Sequence, residues 1–140
     1  MKKMEQIKSH FEEEAGYYDE IILKIIPFYQ EMVDAIVSSI PFERTSSIKI
    51  LDLGCGTGTI SKAIWEKYPN GKFTIVDISQ NMLNIAERKV GEKHVSLSLC
   101  RDFYELDIEE KFDGVVSSLA LHHLISDEDK IHFYTKIFKM

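Results

Sequence analysis

The chain has 140 residues, of which 44% are hydrophobic and 29% charged, a composition typical of one globular domain with no membrane partner. Its formal net charge of −6 disfavours broad electrostatic binding to nucleic acid, because phosphate contacts depend on Lys and Arg. Cys55 and Cys100 have neither disulfide-framework nor metal-ligand spacing, which favours a reducing cytoplasm and no metal site.

The first third of the chain has the apolar spacing of helices. From about Lys3 to Ile40, apolar residues recur at intervals of three and four. Gly16 is expected to separate two helices, and Pro27 either kinks the second helix or begins a new one. Residues 1–47 are therefore predicted to form a helical N-terminal unit.

From Ile48 onwards the pattern alternates between strand and helix. Strands are predicted at residues 48–53, 73–76, 95–99 and 112–117, and helices at 57–68, 79–91 and from 126 onwards. This alternation predicts a parallel sheet with right-handed crossovers. Ligands bind beyond the carboxyl ends of the strands in such a sheet. Four residues fall at predicted strand ends: Gly54, Asp77, Asp102 and Ser118.

The first predicted strand runs directly into a glycine loop, Gly54-Cys-Gly-Thr-Gly58. Glycines let the backbone approach a ligand closely, although a tight strand-to-helix turn would explain one or two of them. A dinucleotide fingerprint needs its third glycine at position 59, but that residue is Thr59 and the third glycine is Gly58. The spacing therefore fits a pyrophosphate binder poorly.

Three aspartates accompany this loop. Asp77 ends the second strand, where a carboxylate can accept hydrogen bonds from both ribose hydroxyls; a helix N-cap is the alternative. Asp52 precedes the loop and suits an ammonium or sulfonium better than phosphates, or is a buried acid bonded to backbone amides. Asp102 could accept a hydrogen bond from an adenine amino group while Phe103 offers its backbone N–H, or it is a plain turn residue.

Four segments in this order resemble the class I S-adenosylmethionine-dependent methyltransferases. They are Ile50–Gly58, Phe73–Asp77 followed by Ser79–Leu83, Cys100–Phe103, and Phe112–Leu124. The stretch Phe11–Asp19 also resembles the N-terminal helical cap of small-molecule members. The resemblance implies an α/β fold: a Rossmann-like parallel sheet with flanking helices, incomplete at about four strands, in residues 48–140, with the helical cap in residues 1–47.

The resemblance implies that this domain binds S-adenosylmethionine, and it assigns roles to the matched residues. At the methionine end, Asp52 would lie near the amino group together with the backbone carbonyl of Ser118, and Tyr18 of the cap would close over it. The backbone of three glycines would surround the methionine portion: Gly54, Gly56 and Gly58. At the adenosine end, Asp77 would hold the ribose diol, Ile78 would pack against the adenine, and the adenine edge would be read by Asp102 and Phe103.

The candidate catalytic residues are His122 and His123. The resemblance puts one of them near the methyl group or the substrate, where it could serve a poor nucleophile as a general base. A metal site using His123 and Asp127 lacks an evident third ligand. Packing of one histidine under the sheet, with the other in solvent, is an equally open interpretation.

The expected function is transfer of a methyl group from S-adenosylmethionine to a small-molecule acceptor in the cytoplasm. One alternative is a module that binds S-adenosylmethionine or S-adenosylhomocysteine without catalysis, and a less favoured one is a nicotinamide-dependent oxidoreductase. Family members continue with further strands beyond the position that matches Met140. We therefore expect a truncated product, or a homo-oligomer in which another chain covers the exposed edge of the fourth strand.

Overall fold

Helices precede and flank a sheet in the computed structural model, which describes residues 5–9, 17–118 and 126–139. Residues 5–9 are helical (α1), and the later helices are α2 (Tyr18–Ile25), α3 (Tyr29–Ser38), α4 (Thr59–Lys67), α5 (Gln80–Val90) and α6 (Asp127–Phe138). The strands are β1 (Lys49–Leu53), β2 (Lys72–Asp77), β3 (Val95–Cys100) and β4 (Gly114–Ser117). Helices α4 and α5 connect successive strands, as the alternating pattern predicts.

The strands of the described region form a parallel sheet in the order β3-β2-β1-β4. The chain moves from β1 to β2 to β3 in one direction and then returns to place β4 on the other side of β1. The strand order therefore reverses at β1, and the loop after β1 lies where open α/β sheets bind their ligands. The expected Rossmann-like parallel sheet with flanking helices is confirmed.

Side chains of β1 alternate between two apolar layers that cover both faces of the sheet. Ile50 joins a core cluster with residues of α3, α4 and α5, whereas Leu51 and Leu53 join a second cluster that includes Phe133 of α6. All three β1 side chains are at most 1% exposed. Burial on both faces explains why the strand is apolar after Lys49, with Asp52 as its one buried polar residue.

The helix boundaries follow from local signals. Helix α2 ends at Ile25 and α3 begins at Tyr29, so Pro27 separates two helices. Ser79 caps α5 by accepting a hydrogen bond from the Met82 amide at 3.2 Å. Ser126 caps α6 in the same way, accepting from the Asp129 amide at 3.1 Å.

Two boundaries differ from the prediction for identifiable reasons. Helix α4 begins at Thr59 rather than at residue 57, because Gly56 (φ 55°) and Gly58 (φ 85°) hold the preceding loop in left-handed conformations. Strand β4 begins at Gly114 rather than at residue 112. Just before this strand, the Asp113 carboxylate accepts a hydrogen bond from the Lys49 amide at 2.8 Å. The Asp113 amide donates a hydrogen bond to the Lys49 carbonyl, also at 2.8 Å.

Some expectations are not tested by the fold. Gly16 and residues 11–16 of the predicted cap lie outside the described residues. The division between a cap at 1–47 and a domain at 48–140 stays a prediction. A helix with the length and apolarity needed to cross a bilayer is not found among the described residues.

Gly58 should tolerate no side chain. Its φ is +85°, and an added Cβ would lie 3.0 Å from Val90 Cγ2 and 3.1 Å from Ala86 Cα. Gly58→Ala should lower the free energy of unfolding by about 2–4 kcal/mol, combining left-handed strain with overpacking. Chemical denaturation measures this loss.

Lys62→Ala, at an exposed position of the same helix, serves as the control and should change stability by less than about 0.5 kcal/mol. The Gly58→Ala loss should also shrink in a Val90→Ala background, because one clashing atom is then gone. Equal losses in both backgrounds would show that the close approach to Val90 has no energetic consequence.

Candidate functional site

The glycine loop after β1 folds over the end of β2. The amides of Gly54 and Cys55 both donate to the Val76 carbonyl, at 2.8 and 3.0 Å, and the Gly58 amide donates to the Cys55 carbonyl at 3.0 Å. All three loop glycines have positive φ, at 69°, 55° and 85° in chain order. The loop therefore offers bare backbone to the carboxyl edge of the sheet.

Asp77, at the end of β2, bonds to the glycine loop and to the start of α5 at once. Its Oδ2 accepts from the Gly56 amide at 2.9 Å and its Oδ1 accepts from the Ser79 amide at 3.0 Å. The N-cap of α5 is Ser79, so capping does not account for this carboxylate. The two described bonds place one amide on each carboxylate oxygen, and a carboxylate oxygen can accept more than one hydrogen bond.

Asp52 is a buried carboxyl beneath the loop, 1% exposed. Its described partner is the Ser61 hydroxyl of α4, which donates to Oδ2 at 2.7 Å. Burial raises the pKa of Asp52 to about 7; the Ser61 hydrogen bond opposes the rise and the negative charge of Asp77 adds to it. Near neutral pH this group is therefore poised between its neutral and ionised forms.

A small pocket joins Asp52 to the loop. Tyr29 of α3 and Ser118, just past β4, complete its wall, together with loop and α4 residues: Gly54, Cys55, Gly56, Thr57, Thr59 and Ile60. Burial raises the pKa of the Cys55 thiol well above its ordinary value, so this cysteine stays neutral and is not an activated nucleophile. The pocket offers one titrating carboxyl and backbone polar groups, a setting suited to a cationic ligand.

A second cavity, of about 200 Å³, lies beyond the ends of β2 and β3. Its wall contains Ile78, Cys100, Arg101, Asp102 and Glu105, together with Glu5 and Lys8 of α1. Asp102 Oδ1 accepts from the Glu105 amide at 2.9 Å, so this carboxylate also forms the turn that was its alternative interpretation.

Phe103 contributes to the core rather than to the cavity wall. Its side chain is 9% exposed and stacks on Phe133 of α6, with ring centroids 5.0 Å apart. The role expected for Phe103 involves its backbone N–H and stays a prediction, as do the ligand-binding roles of the other site residues.

The predicted catalytic pair is not part of the described structure. His122 and His123 lie outside the described residues, and of Tyr18 only the backbone, in α2, is described. Within ranges 5–9, 17–118 and 126–139, no group of three His, Cys, Asp or Glu side chains is arranged to hold a metal ion.

Sequence reasoning did not identify Tyr29, which lines the pocket, or Ser61, which is bonded to Asp52. Tyr29 has the helical spacing of a core residue, and nothing local shows that it faces the loop. Burial raises the pKa of Tyr29, and a hydrogen bond with Thr59 opposes that rise. Ser61 lies on α4, and only the structure shows that it meets Asp52.

Comparison with known proteins points to one family. The profile of a family described as "Methyltransferase domain" matches residues 50–140. Malonyl-[acyl-carrier protein] O-methyltransferase of Priestia megaterium is 42% identical over 71 residues, which is 51% of this chain and 26% of that protein. The putative methyltransferase YqeM of Bacillus subtilis is 33% identical over 128 residues, 90% of this chain and 49% of that protein.

Another malonyl-[acyl-carrier protein] O-methyltransferase, from Acetivibrio thermocellus, is 28% identical over 80% of this chain and 38% of its own length. The chain thus spans between 26% and 49% of the length of these curated relatives.

Solved structures agree on the fold. N-methyltransferase NodS from Bradyrhizobium japonicum, in complex with S-adenosylhomocysteine, matches 95% of this chain and 66% of its own with a TM-score of 0.77. At 18% identity that likeness concerns the fold alone. A S-adenosylmethionine-dependent methyltransferase from Clostridium acetobutylicum is 28% identical, with a TM-score of 0.66 over 88% of this chain and 50% of that one.

The raised pKa of Asp52 predicts a pH-dependent stability. The folded pKa of about 7 exceeds the unfolded value of about 3.9. The stability from the protonated group is fully present below about pH 4 and is lost as pH rises through about 7. Relative to Asp52→Asn, the wild-type free energy of unfolding should fall between pH 4 and 7, by at most about 1.4 kcal/mol per pH unit.

Urea denaturation at intervals from pH 4 to pH 8 measures this difference, with Asp34→Asn on the exposed surface of α3 as the matched control. Parallel profiles for wild type and Asp52→Asn would mean that Asp52 ionises in the folded protein as it does in water.

Proposed function

Because the chain belongs to the methyltransferase-domain family, we propose that it binds S-adenosylmethionine at the glycine loop and directs its methyl group to a carboxylate on a carrier-bound acyl group. The superfamily expected from the sequence is confirmed, and the solved structures similar to this chain support S-adenosylmethionine as its cofactor. Catalysis by this chain and the identity of the acceptor form the proposal.

One observation carries the proposal: the glycine loop and the acidic residues lie along the carboxyl edge of the sheet, from β1, where the strand order reverses, to the turn after β3. Asp52 lines the pocket at the loop, and Asp77 is bonded to the Gly56 amide. Asp102 lines the 200 Å³ cavity together with Ile78. This order of groups fits an ammonium, a ribose diol and an adenine ring along one edge of the sheet. The residues present therefore fit the cofactor.

Asp52 and Asp77 would bind S-adenosylmethionine and orient it in the site. An ionised Asp52 attracts the amino group at the methionine end, and Asp77 accepts hydrogen bonds from the ribose hydroxyls. When bound, S-adenosylmethionine supplies a methyl group already activated on a sulfonium sulfur. The site's task is to hold donor and acceptor in line, which reduces the entropic part of the barrier.

A carboxylate acceptor is favoured by the relatives' names and by its chemistry. Relatives from Priestia megaterium and Acetivibrio thermocellus are named as malonyl-[acyl-carrier protein] O-methyltransferases. A carboxylate is anionic at neutral pH, so its oxygen can attack without a general base. With such an acceptor, the main requirement is to align the carboxylate oxygen with the methyl group. A site built at strand ends can hold both groups in place.

Incubation of the purified chain with S-adenosylmethionine and malonyl-loaded acyl carrier protein tests the proposal. We expect S-adenosylhomocysteine and the malonyl methyl ester in equal amounts by mass spectrometry. Tight S-adenosylhomocysteine binding without ester would identify a binding module instead. Binding of NADH with no affinity for S-adenosylmethionine would identify an oxidoreductase and overturn the proposal.

Asp77→Asn should weaken binding of S-adenosylhomocysteine by at least about tenfold, because a charge-assisted bond to the ribose hydroxyls is replaced by a neutral one. Isothermal calorimetry measures the affinity. Asp107→Asn makes the same charge change at an exposed position and should bind like wild type. Equal affinities in wild type, Asp77→Asn and Asp107→Asn would show that Asp77 does not bind the ribose.

A further inference from the structure

A polar network lies behind the glycine loop, and the proposed function does not use it. The Lys89 ammonium of α5 donates to Asp19 Oδ2 at 2.5 Å, to Thr57 Oγ1 at 3.0 Å and to Thr59 Oγ1 at 3.2 Å. The Thr57 hydroxyl in turn donates to Asp19 Oδ1. Thr59 also interacts with Tyr29 of α3, where it opposes the rise that burial causes in the pKa of the tyrosine. We call these five residues the Lys89 network.

The network connects the glycine loop to four helices. Asp19 belongs to α2, Tyr29 to α3, Thr59 to α4 and Lys89 to α5, whereas Thr57 lies between two loop glycines. Thr57 is 3% exposed, and both threonines line the pocket that contains Asp52. The ion pair therefore bonds to the wall of the pocket itself.

The glycine loop needs such an external constraint. Glycine backbone has more accessible conformations than any other residue, and three of the five residues from Gly54 to Gly58 are glycines. The Thr57 side chain bonds to two helices, to α2 through Asp19 and to α5 through Lys89. Its orientation is thus set by two oppositely charged groups from distant parts of the chain.

We propose that Asp19 and Lys89 are positioning residues that fix the glycine loop, through the hydroxyls of Thr57 and Thr59, in the form that holds the methionine end of the cofactor. The inference deepens the proposed function and rests on it for the identity of the ligand. It assigns helix α2 a direct part in shaping the cofactor site.

Exposure separates this role from a purely stabilising one. The Lys89 side chain is 21% exposed and that of Asp19 46% exposed. The pair is partly exposed, so water partly screens it and we expect its contribution to the free energy of unfolding to be modest. Its loss should therefore change the order of the loop far more than the stability of the protein.

The test compares Lys89→Met with Lys62→Met. Both remove one ammonium and keep an aliphatic side chain, but Lys62 is an exposed residue of α4 whose described ion pair is with Glu66 at 3.9 Å. Two quantities are measured: amide hydrogen exchange across residues 54–59 in the free protein, and calorimetric affinities for S-adenosylhomocysteine and for adenosine. Adenosine lacks the methionine portion, so it reports the rest of the site.

In Lys89→Met we expect loop exchange to be about fivefold faster or more. Affinity for S-adenosylhomocysteine should fall about tenfold while that for adenosine changes less than about twofold. Lys89→Arg should restore most of the loss, and Lys62→Met should match wild type. Asp19→Asn should change exchange and affinity in the same direction as Lys89→Met, and it provides the test if Lys89→Met does not fold.

Wild-type exchange and wild-type affinities in Lys89→Met would overturn the inference. Equal losses for both ligands, with a lower melting temperature, would also overturn it and leave Lys89 with a structural role. If the wild-type protein bound neither ligand, the proposed function would fall. Exchange alone would then decide on the network: faster loop exchange in Lys89→Met than in Lys62→Met supports it, and equal rates contradict it.

Discussion

The hydrogen bond from the Gly56 amide to the Asp77 carboxylate holds the site together. It joins the loop after β1, the strand at which the order reverses, to the end of the neighbouring strand β2. The same carboxylate accepts the Ser79 amide at the start of α5, so the loop, a strand and a helix are fixed to one side chain. Strands β1 and β2 are paired in parallel with Leu53 opposite Val76, and this pairing brings the loop after β1 next to Asp77.

Charge is the second constraint on the site. Asp52 and Asp77 lie near enough for the charge of one to raise the pKa of the other, and Asp52 is buried. A cationic ligand offsets the repulsion between the two carboxylates, because an ammonium stabilises the ionised form of Asp52. An anionic dinucleotide would add to the repulsion instead. The negative charges of Asp52 and Asp77 therefore favour a positively charged ligand such as the sulfonium cofactor of this family.

Much of this arrangement could be predicted from the sequence because its signals are local. The glycine spacing from Gly54 to Gly58, the acids at or near the ends of the first three strands, and the capping serines Ser79 and Ser126 are all short-range patterns. The Lys89 network could not be predicted in the same way. Asp19 and Lys89 are 70 residues apart, and each alone is an ordinary charged helix residue. Only the packing of α2 and α5 on the loop brings them together.

An NMR titration of the labelled protein with S-adenosylhomocysteine tests the central claim most directly, because it observes the loop amides one by one. The account predicts saturable shifts at Gly54, Gly56 and Gly58 and at Asp77, with little change on the exposed surface of α6. NADH should leave these resonances in place. Loop amides that respond to NADH and not to S-adenosylhomocysteine, or shifts confined to surfaces away from the loop, would contradict it.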